Sequence, residues 1–119
     1  MDDGRPIFQQ IAEQIENAII DGSLPEEGQV PSTNELAAFH RINPATAGKG
    51  VNQLVDDGVL YKKRGIGMFV SPGARAKLRQ RRKEQFSELY LRPLLAEAAK
   101  LDIHPAELKT MIDRYEEQR

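Results

Sequence analysis

The sequence predicts a mainly α-helical chain with one small β-hairpin, on the basis of three observations. Apolar residues recur at helical spacing in several stretches, as in amphipathic helices. Two helix-start patterns, PSTNE and NPAT, follow each other closely. Directly afterwards, the basic, glycine-rich run KKRGIG separates two apolar segments, as in a tight hairpin. Two short helices followed by a hairpin predict a winged helix-turn-helix, and the rest of the chain predicts a C-terminal helical hairpin.

The composition excludes several classes of protein. With 119 residues, of which 39% are hydrophobic and 29% charged, the chain suits one or two small folded domains. Cysteine is absent, which excludes a disulfide framework and a thiolate metal site. No apolar run approaches the roughly 20 residues that span a bilayer, and the start MDDGRP lacks the apolar region of a signal peptide. We therefore expect no membrane partner and a cytoplasmic location.

Charge is distributed unevenly, although the net charge is only −1. Up to Val70 the chain has 6 basic and 10 acidic residues, yet five of those basic residues lie between Arg41 and Arg64. A second basic cluster, RAKLRQRRK, runs from Arg75 to Lys83. A local basic surface of this kind is typical of contact with nucleic acid.

The first helix is predicted from about Pro6 to Asp21, because proline suits the first helical position. Gly22 is a suitable C-cap for this helix. In the loop that follows, Leu24 and Val30 are expected to anchor the chain to the core. The apolar stripe of the helix consists of four isoleucines spaced by four residues: Ile7, Ile11, Ile15 and Ile19.

The second helix is expected to begin with a capping box. In this pattern the Ser32 hydroxyl accepts from the backbone N–H of Glu35, and the Glu35 carboxylate accepts from the backbone N–H of Ser32. After a short turn the third helix has Asn43 as its N-cap and Pro44 as its first residue, and should end near Asp57. The apolar contacts of the second helix are expected from Leu36, Ala37 and Phe39.

The third helix is predicted to have an apolar inner face and an outer face of small, polar and basic residues. At about 100° per residue, Ala45, Lys49 and Asn52 point almost opposite to the inner face. Small residues allow close approach to a major groove, and polar ends reach bases or phosphates. An ordinary solvated helix face is the alternative, and it is favoured for this helix taken alone. The inner face consists of Ala47, Val51, Leu54 and Val55.

The hairpin is predicted from the strands Val59–Lys63 and Met68–Val70, which the tip Arg64–Gly67 joins. Gly65 and Gly67 permit the positive φ of a tight turn. A solvated hairpin whose charges protect an edge strand is one interpretation. The position directly after the third helix favours a DNA-contacting wing instead. Three charges lie at or beside the tip: Lys62, Lys63 and Arg64.

A break at Ser71–Gly73 divides the chain into a predicted DNA-binding domain, 1–72, and a predicted two-helix dimerisation domain, 73–119. The second domain should contain a long helix, Ala74–Lys100, and a last helix, Pro105–Glu117.

The two helices of this second domain are expected to need a partner, because two amphipathic helices cannot bury both apolar stripes alone. Pro93 removes one backbone hydrogen bond, so we expect a kink one turn before it. A second copy of the chain is the simplest partner, and this predicts a homodimer. The expected interface residues are Phe86, Leu89, Tyr90, Leu94, Leu108, Met111, Ile112 and Tyr115.

Four stretches of the chain, PIFQQIAEQI, PSTNELA, NPAT and RGIGMFV, resemble the GntR family of bacterial transcription regulators. The NPAT form and the short two-helix tail look most like the YtrA subfamily. The resemblance implies a winged helix-turn-helix that binds a palindromic double-stranded DNA operator as a homodimer, usually to repress transcription.

The residues expected to contact DNA lie at the start of the second helix, in the third helix and in the wing. They are Ser32, Thr33, Asn34, Asn43, Pro44, Ala45, Thr46, Gly48, Lys49, Asn52, Lys63, Arg64, Gly65 and Gly67. The positions that the resemblance itself implies are Ser32, Asn34, Asn43, Ala45, Thr46, Gly48, Lys49 and Gly67.

Two of these positions depart from the pattern of the family. The family often has arginine where Asn34 stands, and a basic or polar residue where Gly48 stands. We therefore expect Lys49, together with Arg64 in a minor groove, to contribute more of the DNA contact here.

Other functional classes fit the sequence less well. A protein-interaction module would expose apolar residues on the third helix, and the sequence places none there. A nonspecific nucleoid or RNA-binding protein would be strongly basic or would expose aromatic residues, whereas this chain is slightly acidic with its aromatics mostly at core spacing. No nucleophile–base pair suggests an enzyme, and His40 and His104 are too isolated to predict a metal site. No cofactor is expected, and the existence of a small-molecule effector is left open.

Overall fold

The computed structural model describes residues 4–119, and their order of elements confirms the predicted mainly α fold with one β-hairpin. A π-helical segment, Ser87–Leu91, joins the fourth helix to the fifth. The signal-peptide prediction rests partly on residues 1–3, which lie outside the described residues. The helices and strands are α1 (Ile7–Asp21), α2 (Thr33–His40), α3 (Pro44–Asp56), β1 (Leu60–Lys63), β2 (Gly67–Val70), α4 (Ala74–Phe86), α5 (Arg92–Lys100) and α6 (Pro105–Glu117).

Helix α1 begins one residue later than expected. Pro6 is its N-cap rather than its first residue, because an extended ψ of 140° places Pro6 outside the helix while its carbonyl accepts from Gln10 N–H at 3.3 Å. The three later isoleucines of the predicted stripe are buried, whereas Ile7, the first residue of the helix, is 41% exposed. Gly22 has the left-handed conformation of a C-cap, with φ 88°, as predicted.

Helices α2 and α3 begin with the predicted caps. Glu35 N–H donates to Ser32 Oγ at 3.1 Å, and Ser32 N–H donates to Glu35 Oε1 at 3.1 Å, which completes the capping box. Ala45 N–H donates to Asn43 Oδ1 at 2.7 Å, with Pro44 as the first residue of α3.

The expected core contribution of Phe39 is wrong. This side chain is 82% exposed, whereas Leu36 and Ala37 are buried. Helix α2 has only eight residues, and only its side with Leu36 and Ala37 is buried against the core. Phe39 lies about 200° around the helix from Ala37, so the packing that buries Ala37 leaves the aromatic ring in solvent.

The hairpin pairs its strands in antiparallel register, with Leu60 opposite Val70 and Lys63 opposite Gly67. Strand β1 begins at Leu60, one residue later than predicted, and β2 begins at Gly67, one residue earlier than predicted. The loop before α2 adds a short third segment on the other side of β2, where Val30 N–H donates to Met68 O at 2.9 Å. Glu27 N–H donates to Val70 O at 2.9 Å in the same segment. The base of the wing is therefore hydrogen-bonded on both sides of β2.

The described chain forms two compact units, of which the first reaches Gln80 and the second is Arg81–Arg119. We call the first the reader and the second the tail. The reader extends beyond the break at Ser71–Gly73, because Ala74 and Leu78 of α4 are buried in its core. The predicted inner face of α3 and the two loop anchors also pack in this core. Its buried residues are Ile11, Ala12, Ile15, Ile19, Val30, Leu36, Ala37, Ala47, Val51, Leu54, Val59, Leu60, Val70, Ala74 and Leu78.

The tail accommodates Pro93 through the π-helical segment that precedes α5. Arg92 N–H donates to Ser87 O, five residues back, so the helix is widened where the proline ring would otherwise meet the carbonyl of the preceding turn. Ala98 of α5 and Leu108 of α6 are buried, and Ile103 N–H donates to Ala98 O at 2.9 Å in the connection.

Candidate nucleic-acid interface

The first part of the candidate interface is the N-terminus of α2. The capping box satisfies the backbone N–H of Glu35 and leaves the other N–H groups of the first turn pointing out of the helix. Hydrogen bonds from Ser32 to the carboxylate hold the pKa of Glu35 below its ordinary value of 4.5. Ser32 and Asn34 are exposed and Thr33 is half-buried, so this turn is accessible to a ligand.

The second part is the outer face of α3, which we call the reading face and define as Ala45, Thr46, Gly48, Lys49 and Asn52. Each of these residues is exposed or half-buried. A Cβ atom at Gly48 would lie 3.5 Å from Thr33 Cγ2, so the start of α2 packs beside the reading face. Because two of the five residues have almost no side chain, the backbone of α3 can approach a groove closely.

A shallow cleft of about 600 Å³ opens along the reading face. Lys49 is one of its lining residues, and the Lys49 Nζ lies 4.1 Å from the centroid of the Phe8 ring in α1. The cleft is lined by Phe8, Ala45, Gly48, Lys49, Asn52, Gln53 and Asp56.

The third part is the wing. Lys63 Nζ lies 4.3 Å from the centroid of the Phe69 ring, which is on the opposite strand. The Tyr61 hydroxyl beside them donates to Glu27 Oε2, and this hydrogen bond raises the pKa of Tyr61 above its ordinary value of 10.0. Arg64 at the tip is exposed. The wing therefore presents one cation, Lys63, held against an aromatic ring, and a second, Arg64, exposed at its tip.

The tip of the wing is supported by a residue of the loop before α2. Gln29 Nε2 donates to Ile66 O at 3.2 Å. A Cβ atom at Gly67 would lie 2.7 Å from the same Gln29 nitrogen, and φ of Gly67 is 148°. A side chain at that position would have to displace the flexible Gln29 amide, and the positive φ is a conformation that residues other than glycine rarely adopt.

The reader brings the expected DNA-contact residues of α2, α3 and the wing to accessible positions. All of them are exposed or half-buried. Sequence reasoning missed Phe8, Glu27 and Gln29, which support Lys49 and the wing from a distance along the chain. For Phe8 a signal existed, because an aromatic residue outside the isoleucine stripe of α1 needs another partner. For Glu27 and Gln29 the loop sequence contains no pattern that predicts these contacts.

The expected dimer residues lie in the tail, and seven of the eight are exposed. Leu108 is the exception, because it is buried within the tail. The predicted dimer interface stays a prediction, and Leu108 has the least exposed surface of its eight residues. Among residues 4–119, no cluster of His, Cys, Asp or Glu could hold a metal ion. Over the same residues, no helix is both long and apolar enough to cross a membrane.

Comparison with known proteins gives a family for the chain. Residues 7–70 match the model of the bacterial regulatory proteins of the gntR family. The chain is 30% identical over 90 residues to the HTH-type transcriptional repressor YtrA of Bacillus subtilis, covering 72% of this chain and 69% of that protein. It is 38% identical over 66 residues to the HTH-type transcriptional repressor NagR of Bacillus subtilis, covering 56% of this chain but only 27% of NagR.

Solved structures are similar over both the whole chain and the reader alone. A protein from Bacteroides thetaiotaomicron, described as a transcriptional regulator of the GntR family, is 33% identical with a TM-score of 0.73, covering 94% of this chain and 97% of that one. The DNA-binding domain of AraR, solved in complex with an operator, is 30% identical with a TM-score of 0.56, covering 60% of this chain and 86% of that one. These regulatory relatives confirm the winged-helix fold and a regulatory rather than an enzymatic class. The chain belongs to the GntR family of bacterial regulatory proteins, and within it to the YtrA-like members.

Proposed function

We propose that this protein is a sequence-specific transcriptional repressor that binds a palindromic operator as a homodimer. The observation that carries the proposal is the accessible reading face of α3, in which Ala45 and Gly48 leave room for a groove beside Lys49 and Asn52. The similarity to the operator-bound AraR domain supports the same use of the fold. The repressors YtrA and NagR support the direction of regulation. An operator target requires a cytoplasmic location.

In this proposal α3 enters the major groove with its reading face towards the bases. Lys49 can donate to a guanine edge or to a phosphate, and Asn52 can pair with an adenine edge. The first turn of α2 donates backbone N–H groups to a phosphate, where the positive end of its helix dipole adds attraction. Ser32 and Thr33 lie at that turn and set the register of the helix on the duplex.

The wing supplies the contacts beside each half-site. Arg64 enters the adjacent minor groove, where a narrow, A·T-rich groove attracts a guanidinium group. Gly65 has φ 77° and an open side, so the backbone of the tip can follow the groove. Lys63 contacts a phosphate from its place over the Phe69 ring.

The tail is proposed as the homodimer interface. Phe86, Leu89 and Tyr90 stand at the π-helical segment, and each exposes more than half of its surface. Exposed large apolar residues grouped in this way mark an interaction surface. A two-fold dimer would set two α3 helices about 34 Å apart, which is one turn of DNA. The interface residues in this proposal are Phe86, Leu89, Tyr90, Leu94, Met111, Ile112 and Tyr115.

Selection of bound sequences from random duplex DNA tests the proposal. The purified full chain should enrich an inverted repeat whose half-site centres are about one helical turn apart. An enriched single half-site without its inverted copy would contradict the dimeric mode. Equal recovery of all sequences would instead support a nonspecific binder. A reporter promoter that carries the enriched sequence should be expressed less when the protein is present, and higher expression would contradict repression.

A further inference from the structure

Phe8 stands in the first turn of α1 but outside the isoleucine stripe of that helix. Its side chain is half-buried, and its ring faces α3. Lys49 Nζ lies 4.1 Å from the ring centroid, well within the roughly 6 Å range of a cation–π interaction. Lys49 itself is exposed, so this contact lies at the edge of the reading face.

The approach of the two residues depends on the glycine that follows Lys49. A Cβ atom at Gly50 would lie only 2.6 Å from Phe8 O and 3.4 Å from Ile11 Cβ. Helix α3 therefore packs directly against the backbone of the first turns of α1, which a side chain at position 50 would prevent. Because Lys49 directly precedes Gly50 in α3, the Lys49 side chain leaves the helix beside the Phe8 ring.

The ring holds the ammonium group without neutralising it. Over residues 4–119, no carboxylate lies within ion-pair distance of Lys49, although Asp56 lines the same cleft. An ion pair with a carboxylate would cancel the charge that attracts DNA. An aromatic face instead restricts the flexible four-carbon side chain and leaves the positive charge available.

We infer that Phe8 is a positioning residue for DNA recognition, and that it acts by holding the Lys49 ammonium group at the edge of the reading face. The inference rests on the proposed function, because it assumes that Lys49 meets oxygen or nitrogen acceptors of the duplex. Those acceptors belong either to phosphates or to guanine edges, and both require the ammonium group at a defined place. Phe8 itself need not touch DNA.

The geometry is tested on the free protein by NMR. The ring current of Phe8 should shift the ε-methylene protons of Lys49 upfield of their ordinary position. Phe8→Leu should remove this shift, whereas Phe8→Tyr should retain it. An unshifted Lys49 in the wild-type protein would overturn the inference without any bearing on whether the protein binds an operator.

The consequence for binding is tested with a double-mutant cycle on the selected operator. Phe8→Leu should weaken operator binding about two- to fivefold, the size expected for an exposed cation–π contact. In a Lys49→Met background the same Phe8→Leu substitution should have no effect. Phe8→Tyr should bind as the wild type does. Phe39→Leu is the matched control, since it removes an exposed aromatic ring of the reader that lies outside the proposed DNA contacts.

The salt dependence of binding separates the two kinds of acceptor. If Lys49 meets a phosphate, Phe8→Leu weakens binding to operator and to unrelated DNA alike and makes the salt slope shallower. If Lys49 meets a guanine edge, only operator binding weakens. An equal loss from Phe8→Leu with and without Lys49 would show a purely structural role and overturn the inference. Failure of the wild type to select any sequence would instead count against the proposed function.

Discussion

The reader and the tail differ sharply in how they bury their apolar residues. Among the described residues, fifteen of the seventeen buried apolar side chains lie in the reader, and only Ala98 and Leu108 lie in the tail. The tail is not poor in apolar residues, because its helices carry Phe86, Leu89 and Tyr90 together with further leucines. The difference lies in how many neighbours each unit supplies to its own side chains.

This difference separates folding from assembly. The reader packs three helices, a hairpin and the first turns of α4 around one core, so its stability comes from within the unit. The tail has two short helices after the π-helical segment, which cannot enclose a core of their own. We therefore expect changes in the reader core to affect unfolding, and changes on the exposed tail residues to affect association.

The largest effect is expected from removing the tail. A chain that ends at Gln80 keeps Ala74 and Leu78 in the reader core, which a chain ending at Gly73 would lose. It should fold as a monomer, and its affinity for the palindrome should fall by about 100- to 10,000-fold, because the linked second contact is lost. Sedimentation and titration of palindromic DNA measure both properties. Titration of a single half-site is the control, and there the truncated and full chains should bind alike. A truncated protein that stays dimeric would remove the tail from the proposed interface.

Two leucine substitutions compare the units directly. Leu54→Ala in the reader core should lower the free energy of unfolding by about 2–5 kcal/mol, because Leu54 is only 1% exposed and its removal leaves a cavity. Leu89→Ala in the tail, where the residue is 56% exposed, should leave reader unfolding almost unchanged but weaken dimerisation. Urea denaturation and sedimentation check the pair. Strong loss of reader stability from Leu89→Ala would contradict the separation of the two units.

Lys49→Ala should alter DNA binding while leaving both folding and association intact. If Lys49 meets a guanine edge, operator binding should weaken by about 1–3 kcal/mol. If it meets a phosphate, binding to all sequences should weaken and the salt slope should fall by about one unit. Binding titrations at several salt concentrations distinguish these outcomes. Unchanged affinity and unchanged salt slope would exclude Lys49 from the residues that contact DNA.

The smallest effect is expected at the cap of α2. The folded pKa of Glu35 is lowered by its hydrogen bonds from Ser32, so its stabilising effect is complete above the unfolded pKa and is lost as pH falls through the folded value. Glu35→Gln keeps a capping acceptor but cannot titrate. The wild type should therefore be slightly more stable than Glu35→Gln at pH 7, and this advantage should disappear once the pH falls below the folded pKa, which itself lies below the ordinary 4.5. The midpoints of urea denaturation, measured for both proteins at pH 7 and at an acidic pH below the folded pKa, give this difference in stability. An advantage that persists in acid would show that the carboxylate charge is irrelevant.

Much of the fold could be predicted from the sequence, because helix ends depend on neighbours within one turn. The Ser32–Glu35 capping box and the Asn43 cap lie within three residues of their partners, and the structure has both. The end of α1 at the Gly22 C-cap could be predicted for the same reason. Side chains whose burial depends on how whole helices pack were predicted less well, as the exposed Phe39 shows.

The sequence by itself determined the order of helices and strands up to the hairpin, the N-terminal caps of α2 and α3, and membership of the GntR family. Only the tertiary structure decided which distant residues support the candidate interface. Phe8 meets Lys49 because Gly50 lets α3 lie against the backbone of α1, and Gln29 reaches the wing tip across 37 residues of chain. Local hydrogen bonds can be recognised from a few adjacent residues of the sequence, whereas contacts between elements depend on how the whole core packs.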